Sequence, residues 1–431
     1  MLRVLLITRE PWRDDSNEGS VLSSWFEDQP MELAHIYCKP DMPGNKCCKR
    51  YFQLSDMMAV KKLLKGEPMG KVIDLSEDVP ADSPASNPSE QKKSFYDFFR
   101  RHNWASFFLV QDLLWTLANW KSKALEDFVD EFDPDVIFAP LTYSRYTMAI
   151  QRWAVKRLKK PMLGIVWDDL YSLNQFHFSP IYWLNRLIQR HFVKKTAECC
   201  DALYTLSPQQ AKVFGEQFKR EFGVFPKAGT QQENMPEPDD NCVRFIYAGG
   251  IYFGRIGTLT TIIETLDRLN KEGYPCRLDI YSNSPDAPSL AKEGVCQVHE
   301  AVSADELKKR YGSAHVAVHA EGYDRASVQQ MWHSFSSKIV DCLSSGCAVL
   351  VACPTINCGC RYLLENEAAV CADQPSEIAG KVELLVKDAE QRKLLKERAY
   401  ACMQANHRSE VVKALVYEQL SKAAGKKQSE E

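Results

Sequence analysis

The chain is short of the features that mark several large classes of protein. None of its apolar runs reaches the roughly 18 residues that a bilayer-spanning helix needs, so no spanning segment is expected. Positive charge is not in excess: 54 Lys and Arg stand against 57 Asp and Glu, a formal net charge of −3. No overall field would hold a phosphate polymer, which argues against nucleic acid as a main partner. The opening stretch MLRVLLITREPW lacks the long apolar core and small-residue cleavage site of a secretory signal, being broken by Arg9 and Glu10, and it reads as a first strand. Although there are 15 cysteines, no two form a Cys-x-x-Cys pair, and the tightest group, Cys353, Cys358 and Cys360, fits no standard zinc spacing. Reduced thiols, no metal site and a cytoplasmic location are the expectations.

What is present is an ordinary globular composition, 45% apolar and 26% charged, on a 431-residue chain long enough for two domains. Short apolar runs (VLLIT, LAHIYC, KVIDL, DVIFA, MLGIVW and ALYTL, then RFIYA, RLDIYS, HVAVHA and AVLVA) alternate with longer helical patterns. Parallel strands joined by crossover helices produce that alternation, so the fold class is α/β with two doubly wound units. The polar stretch PKAGTQQENMPEPDDN breaks the rhythm between them. The expected organisation is an N-terminal domain over 1–228, a linker over 229–242, a C-terminal domain over 243–405, and a terminal helix and tail over 406–431.

The strand RFIYA runs into Gly249 and Gly250, and the helix TLTTIIETLDRL is expected after Gly257. A strand, a glycine turn and a helix N-terminus present bare backbone N–H groups and the positive end of a helix dipole, which suits a phosphate or diphosphate. Arg255 adds a planar cation that can fork two hydrogen bonds onto phosphate oxygens. A plain surface turn with a solvated arginine is the alternative. A dinucleotide fits poorly: the spacing is not G-x-G-x-x-G, and the second strand ends in Ser282 and Asn283, without the acid that would hold an adenosine ribose. Further on, HSFSSKIVDCLSSGCAVLVACP places Lys338, Asp341 and Ser345 at i, i+3 and i+7, one face of an expected helix closed by Gly346. A carboxylate there can accept both hydroxyl protons of a ribose, and a lysine one turn earlier can meet a phosphate. An exposed ion pair is the bland alternative.

These residues resemble the retaining, nucleotide-sugar-dependent glycosyltransferases of GT-B fold, in particular glycosyltransferase family 4. GGIYFGR is similar to that family's diphosphate-binding glycine loop with its arginine. FSSKIVDCLSSGCAVLV, which contains Ser336, Ser337 and Lys338, is similar to a family segment of the form S-K-I-x-E-Y-L-A-x-G-x-P-V-L. Asp341 stands where the ribose-binding glutamate is expected, and eight residues earlier His333 replaces the family's first glutamate. QVHEAVSADELKKRYGSAHVAVHAEG resembles the region between these motifs, with a strand ending in Val302 near the base and Glu321 and Gly322 in the loop facing the donor sugar. More weakly, SNEGSVLSSWF, with Asn17, Glu18 and Gly19, resembles a loop on the acceptor side. In IVWDDLY, Asp168 and Asp169 occupy the strand end where many members carry a catalytic-site histidine.

The resemblance implies two Rossmann-like, doubly wound parallel-sheet domains facing across a cleft. The donor, a nucleotide diphosphate sugar, would bind the C-terminal domain, and the acceptor, a glycan or lipid-linked glycan, the N-terminal one. It implies no cofactor, no metal, and charge stabilisation by Arg255 and Lys338 of a departing diphosphate that takes the acceptor's proton. Two aromatic and basic stretches, residues 94–123 and 176–195, could lie on a membrane surface or form core. His333 keeps open a catalytically inactive nucleotide-sugar-binding scaffold, and a GT-B epimerase is a further alternative.

Overall fold

The apolar runs become strands. In the computed structural model, which describes residues 1–14, 16–75, 105–175, 177–230 and 241–425, β1 (Leu2–Ile7), β2 (Met31–Tyr37), β3 (Arg50–Gln53), β4 (Lys71–Asp74), β5 (Val136–Pro140), β6 (Met162–Ile165), β7 (Ala202–Thr205) and β8 (Gly223–Val224) share a sheet. Its order is β4-β3-β2-β1-β5-β6-β7-β8. β1 pairs in parallel with β2 from Leu2↔Met31 to Ile7↔Ile36, and with β5 through Val4↔Val136. Every residue of β5 is buried, as a near-continuous apolar central strand should be. β4, the edge, runs antiparallel to β3 and turns Lys71 and Asp74 to solvent, which discourages further pairing.

A second sheet holds β9 (Val243–Ala248), β10 (Cys276–Tyr281), β11 (Cys296–His299), β12 (Val316–Ala320), β13 (Ala348–Ala352) and β14 (Val370–Ala372), in the order β11-β10-β9-β12-β13-β14. All its pairs are parallel. Phe245, Leu278, Val316 and Leu350 from these strands pack with Leu259, Ile262 and Leu266 of the Arg255–Lys271 helix in one apolar core. In both sheets the chain starts in the middle, builds outward to one side and then returns to build the other. The order therefore reverses at β1/β5 and at β9/β12, the places where open α/β sheets leave a crevice at the carboxyl ends of the strands.

Contacts divide the chain into a first unit of Met1–Thr205, Phe214–Gly223 and Lys413–Glu431 and a second of Leu206–Val213 and Val224–Val412. Residues 206–213 and 224–228, N-terminal by sequence reading, thus pack with the second unit, and the end of the Ser409–Ala423 helix packs with the first. Serines recur as helix N-caps: Ser55, Ser122, Ser144 and Ser179 each accept a hydrogen bond from the backbone N–H three residues on.

Three local expectations differ from the structure. The helix after the glycine turn begins at Arg255, two residues before Gly257, because Gly254 at φ 73° supplies the left-handed step that lets it start there. The Lys338–Leu343 helix stops short of Ser345, whose hydroxyl donates to the Cys342 carbonyl, so Lys338 and Asp341 share a helical turn and Ser345 does not. β11 ends at His299, which leaves Val302 in the loop beyond it.

Candidate nucleotide-sugar site

The loop after β9 and the loop after β12 meet at the switch point of the second unit. Two glycines let them touch: a Cβ on Gly322 would lie 2.2 Å from the Phe253 carbonyl oxygen, and one on Gly254 would lie 2.4 Å from Asp324 Oδ2. Arg255 then fastens the two loops. Its Nε donates to Glu321 Oε2 at 2.8 Å and its Nη2 to Glu321 Oε1 at 2.7 Å, a bidentate pair with both side chains buried. Its Nη1 donates to the Gly250 carbonyl at 3.0 Å, and Thr258 Oγ1 donates to the Glu321 carbonyl at 2.6 Å. The guanidinium expected to face a phosphate is thus engaged with the carboxylate across the switch point.

The open cation is Lys338. Its stem lies directly on the glycine turn, because a Cβ on Gly249 would come within 2.0 Å of Nζ. Gly249 itself has φ 137°, a conformation that side chains rarely adopt. The ammonium stands 5.7 Å from the Tyr247 ring centroid. Burial, seconded by the nearby Arg255 charge, pulls its pKa down to about 8. Beside it starts the 17-residue Arg255–Lys271 helix, whose first turn has no side-chain cap; the N–H groups of Arg255 and Gly257 bond back to the Tyr252 and Gly254 carbonyls. Behind Glu321 stands His319, with Nε2 3.6 Å from Oε1; burial lowers its pKa to about 4 and keeps it neutral at ordinary pH. Glu321 and Gly322 also line a small cavity with Cys353, Pro354 and Asn357.

Asp341 projects from the same turn of helix as Lys338 and is partly exposed, with one oxygen held: Lys227 Nζ donates to Oδ1 at 2.6 Å and to the Ser337 carbonyl at 3.4 Å. Lys227 is itself buried. Nothing in the sequence marked it, since it belongs to the polar stretch read as leading into the linker. Its backbone is anchored by His407, whose Nδ1 lies 2.9 Å from the Lys227 carbonyl, while His407 Nε2 lies 2.8 Å from the Tyr362 hydroxyl.

The other expected donor-side residues divide between frame and surface. Ser282 Oγ accepts from Ser284 N at 3.2 Å, Ser284 Oγ accepts from Ile251 N at 2.8 Å, and Asn283 Oδ1 accepts from Ala301 N at 2.8 Å, so this strand end supports the glycine turn. Ser336 and Ser337 open the Lys338–Leu343 helix through their carbonyls, which accept from Ile339 and Val340. His333 is buried, its carbonyl accepting from Gln210 Nε2 at 2.8 Å.

In the first unit, Arg9 follows β1 and crosses the β1/β5 switch point, with its guanidinium 4.6 Å from the Tyr143 ring centroid and bonded to the Tyr143 hydroxyl. Arg9 Nη1 also lies 3.0 Å from Glu10 Oε1. Asn17, Glu18 and Gly19 form the first turn of the Asn17–Phe26 helix, packed so closely that a Cβ on Gly19 would meet the Arg13 carbonyl oxygen at 1.9 Å. Glu18 Oε1 is enclosed without a hydrogen-bond partner. Burial, reinforced by Glu10 and Asp168 and opposed by Arg9, pushes the Glu18 carboxyl up to about 8. Asp168 is exposed. Asp169, by contrast, is spent on its own turn: Oδ1 accepts from Tyr171 N at 3.2 Å and Ser172 N at 2.8 Å and lies 3.6 Å from Arg186 Nη2.

Residues 260–414, almost all in the second unit, match the family model described as Glycosyl transferase-like. No curated protein matches the sequence. Among solved structures, a sucrose-phosphate synthase from Thermosynechococcus elongatus is similar over 98% of this chain and 100% of its own, with 12% identity and a TM-score of 0.60. Anabaena Alr3699/HepE in complex with UDP and glucose covers 98% and 100%, with 11% identity and a TM-score of 0.60. Trehalose-6-phosphate from E. coli bound with UDP-2-fluoro glucose covers 98% and 99%, with 10% identity and a TM-score of 0.56. The architecture is the GT-B fold, two α/β units on one chain whose sheets are parallel but for the β4 edge.

Proposed function

We propose that the second unit binds a nucleoside diphosphate sugar at its β9/β12 switch point and that the protein transfers the sugar to a hydroxyl acceptor. The observation that carries this reading is the half-buried Lys338 ammonium, set against Gly249 beside the positive end of a long helix that has no side-chain cap. An anion with several oxygens, such as a diphosphate, satisfies that arrangement. Asp341, oriented by Lys227, takes the ribose hydroxyls, and the loop of Glu321 and Gly322 meets the donor sugar. Arg255 supports the same site by locking the glycine turn to Glu321.

Chemically, the acceptor oxygen attacks the anomeric carbon, a new C–O bond forms on the face from which the diphosphate departs, and the hydroxyl proton passes to the departing phosphate oxygen. The configuration at the anomeric carbon is retained. Catalysis then rests on positioning and on stabilising charge on the leaving group, which Lys338 and the helix N-terminus supply without a metal. The acceptor in this reading is a glycan or lipid-linked glycan, within polysaccharide assembly at the cytoplasmic side of a membrane. Asp168, exposed beside the raised Glu18 carboxyl, is the better placed of the two adjacent aspartates to meet an acceptor hydroxyl, since Asp169 holds its own turn.

UDP is the first nucleotide to try, because HepE and the E. coli protein carry uridine nucleotides in their structures. Incubation with a panel of nucleotide sugars, with thermal shift and nucleoside diphosphate release as readouts, tests the reading. A raised melting temperature with slow donor hydrolysis, unchanged by excess chelator, is the expected result. Silence across the whole panel would overturn it. Binding with no hydrolysis and no transfer would favour the scaffold, a reading supported by His333 where the family has an acid.

A further inference from the structure

Three neighbouring helices of the first unit carry large apolar side chains on their outer faces. Asp56–Lys65 packs against Ala105–Ala118, which packs against Pro180–Ala197. The middle helix exposes Val110, Leu113 and Leu117, and the third exposes Ile181, Leu184 and Leu187, each between 49% and 64% exposed. On the first helix Leu64 stands out further still, at 78%. Isolated exposed leucines are unremarkable, but rows at helical spacing on adjoining helices make a contiguous apolar surface of the kind that meets a partner.

The charges on these helices indicate which partner. Their only acids are Asp56 and Asp112, and both are turned inward as fasteners. Asp56 accepts from Gln111 at 2.9 Å and Trp115 at 2.6 Å, tying the first helix to the second. Asp112 pairs with Arg145, whose Nη2 also donates to Asn185 at 2.9 Å, tying the second helix to the third. Leu113 and Leu184 each neighbour this junction in sequence. The basic residues are treated differently: Arg186 and Arg190 are bonded internally, while Lys61, Lys65, Lys194 and Lys195 reach solvent, and among the described residues only Lys61 has an ion-pair partner, Glu67 at 3.9 Å. Apolar rows flanked by four exposed lysines, with both acids inside the helices withdrawn and only the capping Glu198 exposed beside the Lys194–Lys195 pair, are complementary to an anionic lipid surface. No helix among the described residues is long and apolar enough to cross a membrane, so the contact is one that lies on the bilayer.

We infer that the outer face of these three helices docks on an anionic bilayer surface, in an orientation fixed by Leu113 and Leu184 and by the Lys194–Lys195 pair. This does not rest on the donor site, which belongs to the other unit. The test is flotation of the full chain with vesicles of phosphatidylcholine alone and of phosphatidylcholine mixed with phosphatidylglycerol. Flotation with the mixed vesicles, weakened by salt, is expected. The Leu113→Gln/Leu184→Gln and Lys194→Glu/Lys195→Glu variants should each float about tenfold less well while unfolding at the wild-type temperature and keeping wild-type donor hydrolysis in solution. Absence of flotation overturns the inference, as does equal flotation on neutral vesicles. Self-association that Leu113→Gln/Leu184→Gln abolishes, without flotation, would assign the face to a second copy and overturn it likewise.

Discussion

The two switch points use the same device in opposite electrostatic settings. In each unit an arginine from the loop after the first strand reaches across to the loop after the strand on the far side: Arg9 to Tyr143, Arg255 to Glu321. Around Arg255 the remaining open group is a cation, Lys338, while Asp341 is already matched by Lys227. Around Arg9 the remaining groups are carboxyls, Glu10, Glu18 and Asp168, with Lys39 3.8 Å from Glu10. The open side chains at the two switch points thus differ in sign, a cation in the second unit and carboxyls in the first. Topology fixes where a crevice forms, and the side chains that reach it decide what it takes.

The sharpest way to break this comparison is to remove both arginines in turn. Arg255→Ala leaves Glu321 buried and unpaired, which should cost about 3–5 kcal/mol of stability, measured by denaturant unfolding. It should also lower turnover by about 10²–10³ through collapse of the glycine turn. Arg9→Ala should cost less, about 1 kcal/mol, because Glu10 is partly exposed and the enclosed Glu18 carboxyl, its pKa already raised to about 8, stays protonated without it. The paired change Arg255→Ala/Glu321→Ala should recover stability but not turnover. Equal losses from the two single arginine variants would mean that the two crevices are not differently built.

Lys338→Met comes next in size. Donor affinity should fall about 100-fold by calorimetry, while stability holds or rises, since a half-buried ammonium without an acid partner is removed. The pH dependence separates the two roles of Lys338. Because its folded-state pKa lies near 8, below the unfolded value of 10.5, the unfolded chain binds more protons between those limits and stability rises with pH across them. Donor affinity needs the ammonium, so it should decline as pH rises above about 8. The variant should lose both trends.

Much of this was legible in the sequence, and the residues that were not share a reason. Each of the ten strand segments named from apolar periodicity is a strand in the structure: nine are largely buried and carry their signal locally, while KVID, the exposed edge strand β4, keeps only Ile73 inside. β14, three residues long and followed by Asp373, carries too little signal to be seen that way. The glycine turn announced itself, since only bare backbone can lie under Lys338 at Gly249. Lys227 could not be found: it acts through a contact with Asp341, 114 residues away, and sits in a run whose composition speaks of a connector. Asp169 is the reverse case: its place at a strand end was legible through the resemblance, but its bonds to Tyr171 and Ser172, by which an aspartate closes its own turn, were not.

Lys227→Met asks whether the cationic crevice needs its hidden partner. Removing a charged donor from the partly exposed Asp341 should weaken nucleotide binding several-fold and leave phosphate-only ligands unaffected. Comparing calorimetric titrations with UDP and with inorganic diphosphate checks this. A parallel loss for both ligands would show that Lys227 supports the whole loop and not the ribose acid.

The smallest expected effect on turnover tests the acid side. Glu18→Gln keeps the shape of the enclosed carboxylic acid and removes its titration, and it should leave donor hydrolysis untouched. In the native chain the Glu18 pKa is raised from 4.5 to about 8, so the folded state binds more protons than the unfolded one between those values, and stability falls as pH rises through them. Glu18→Gln should flatten that fall in thermal unfolding, most visibly near pH 8. If the variant follows the native curve at every pH, Glu18 is already ionised in the folded chain. The first crevice would then be no more enclosed than an ordinary loop, and the contrast between the two switch points would rest on Lys338 alone.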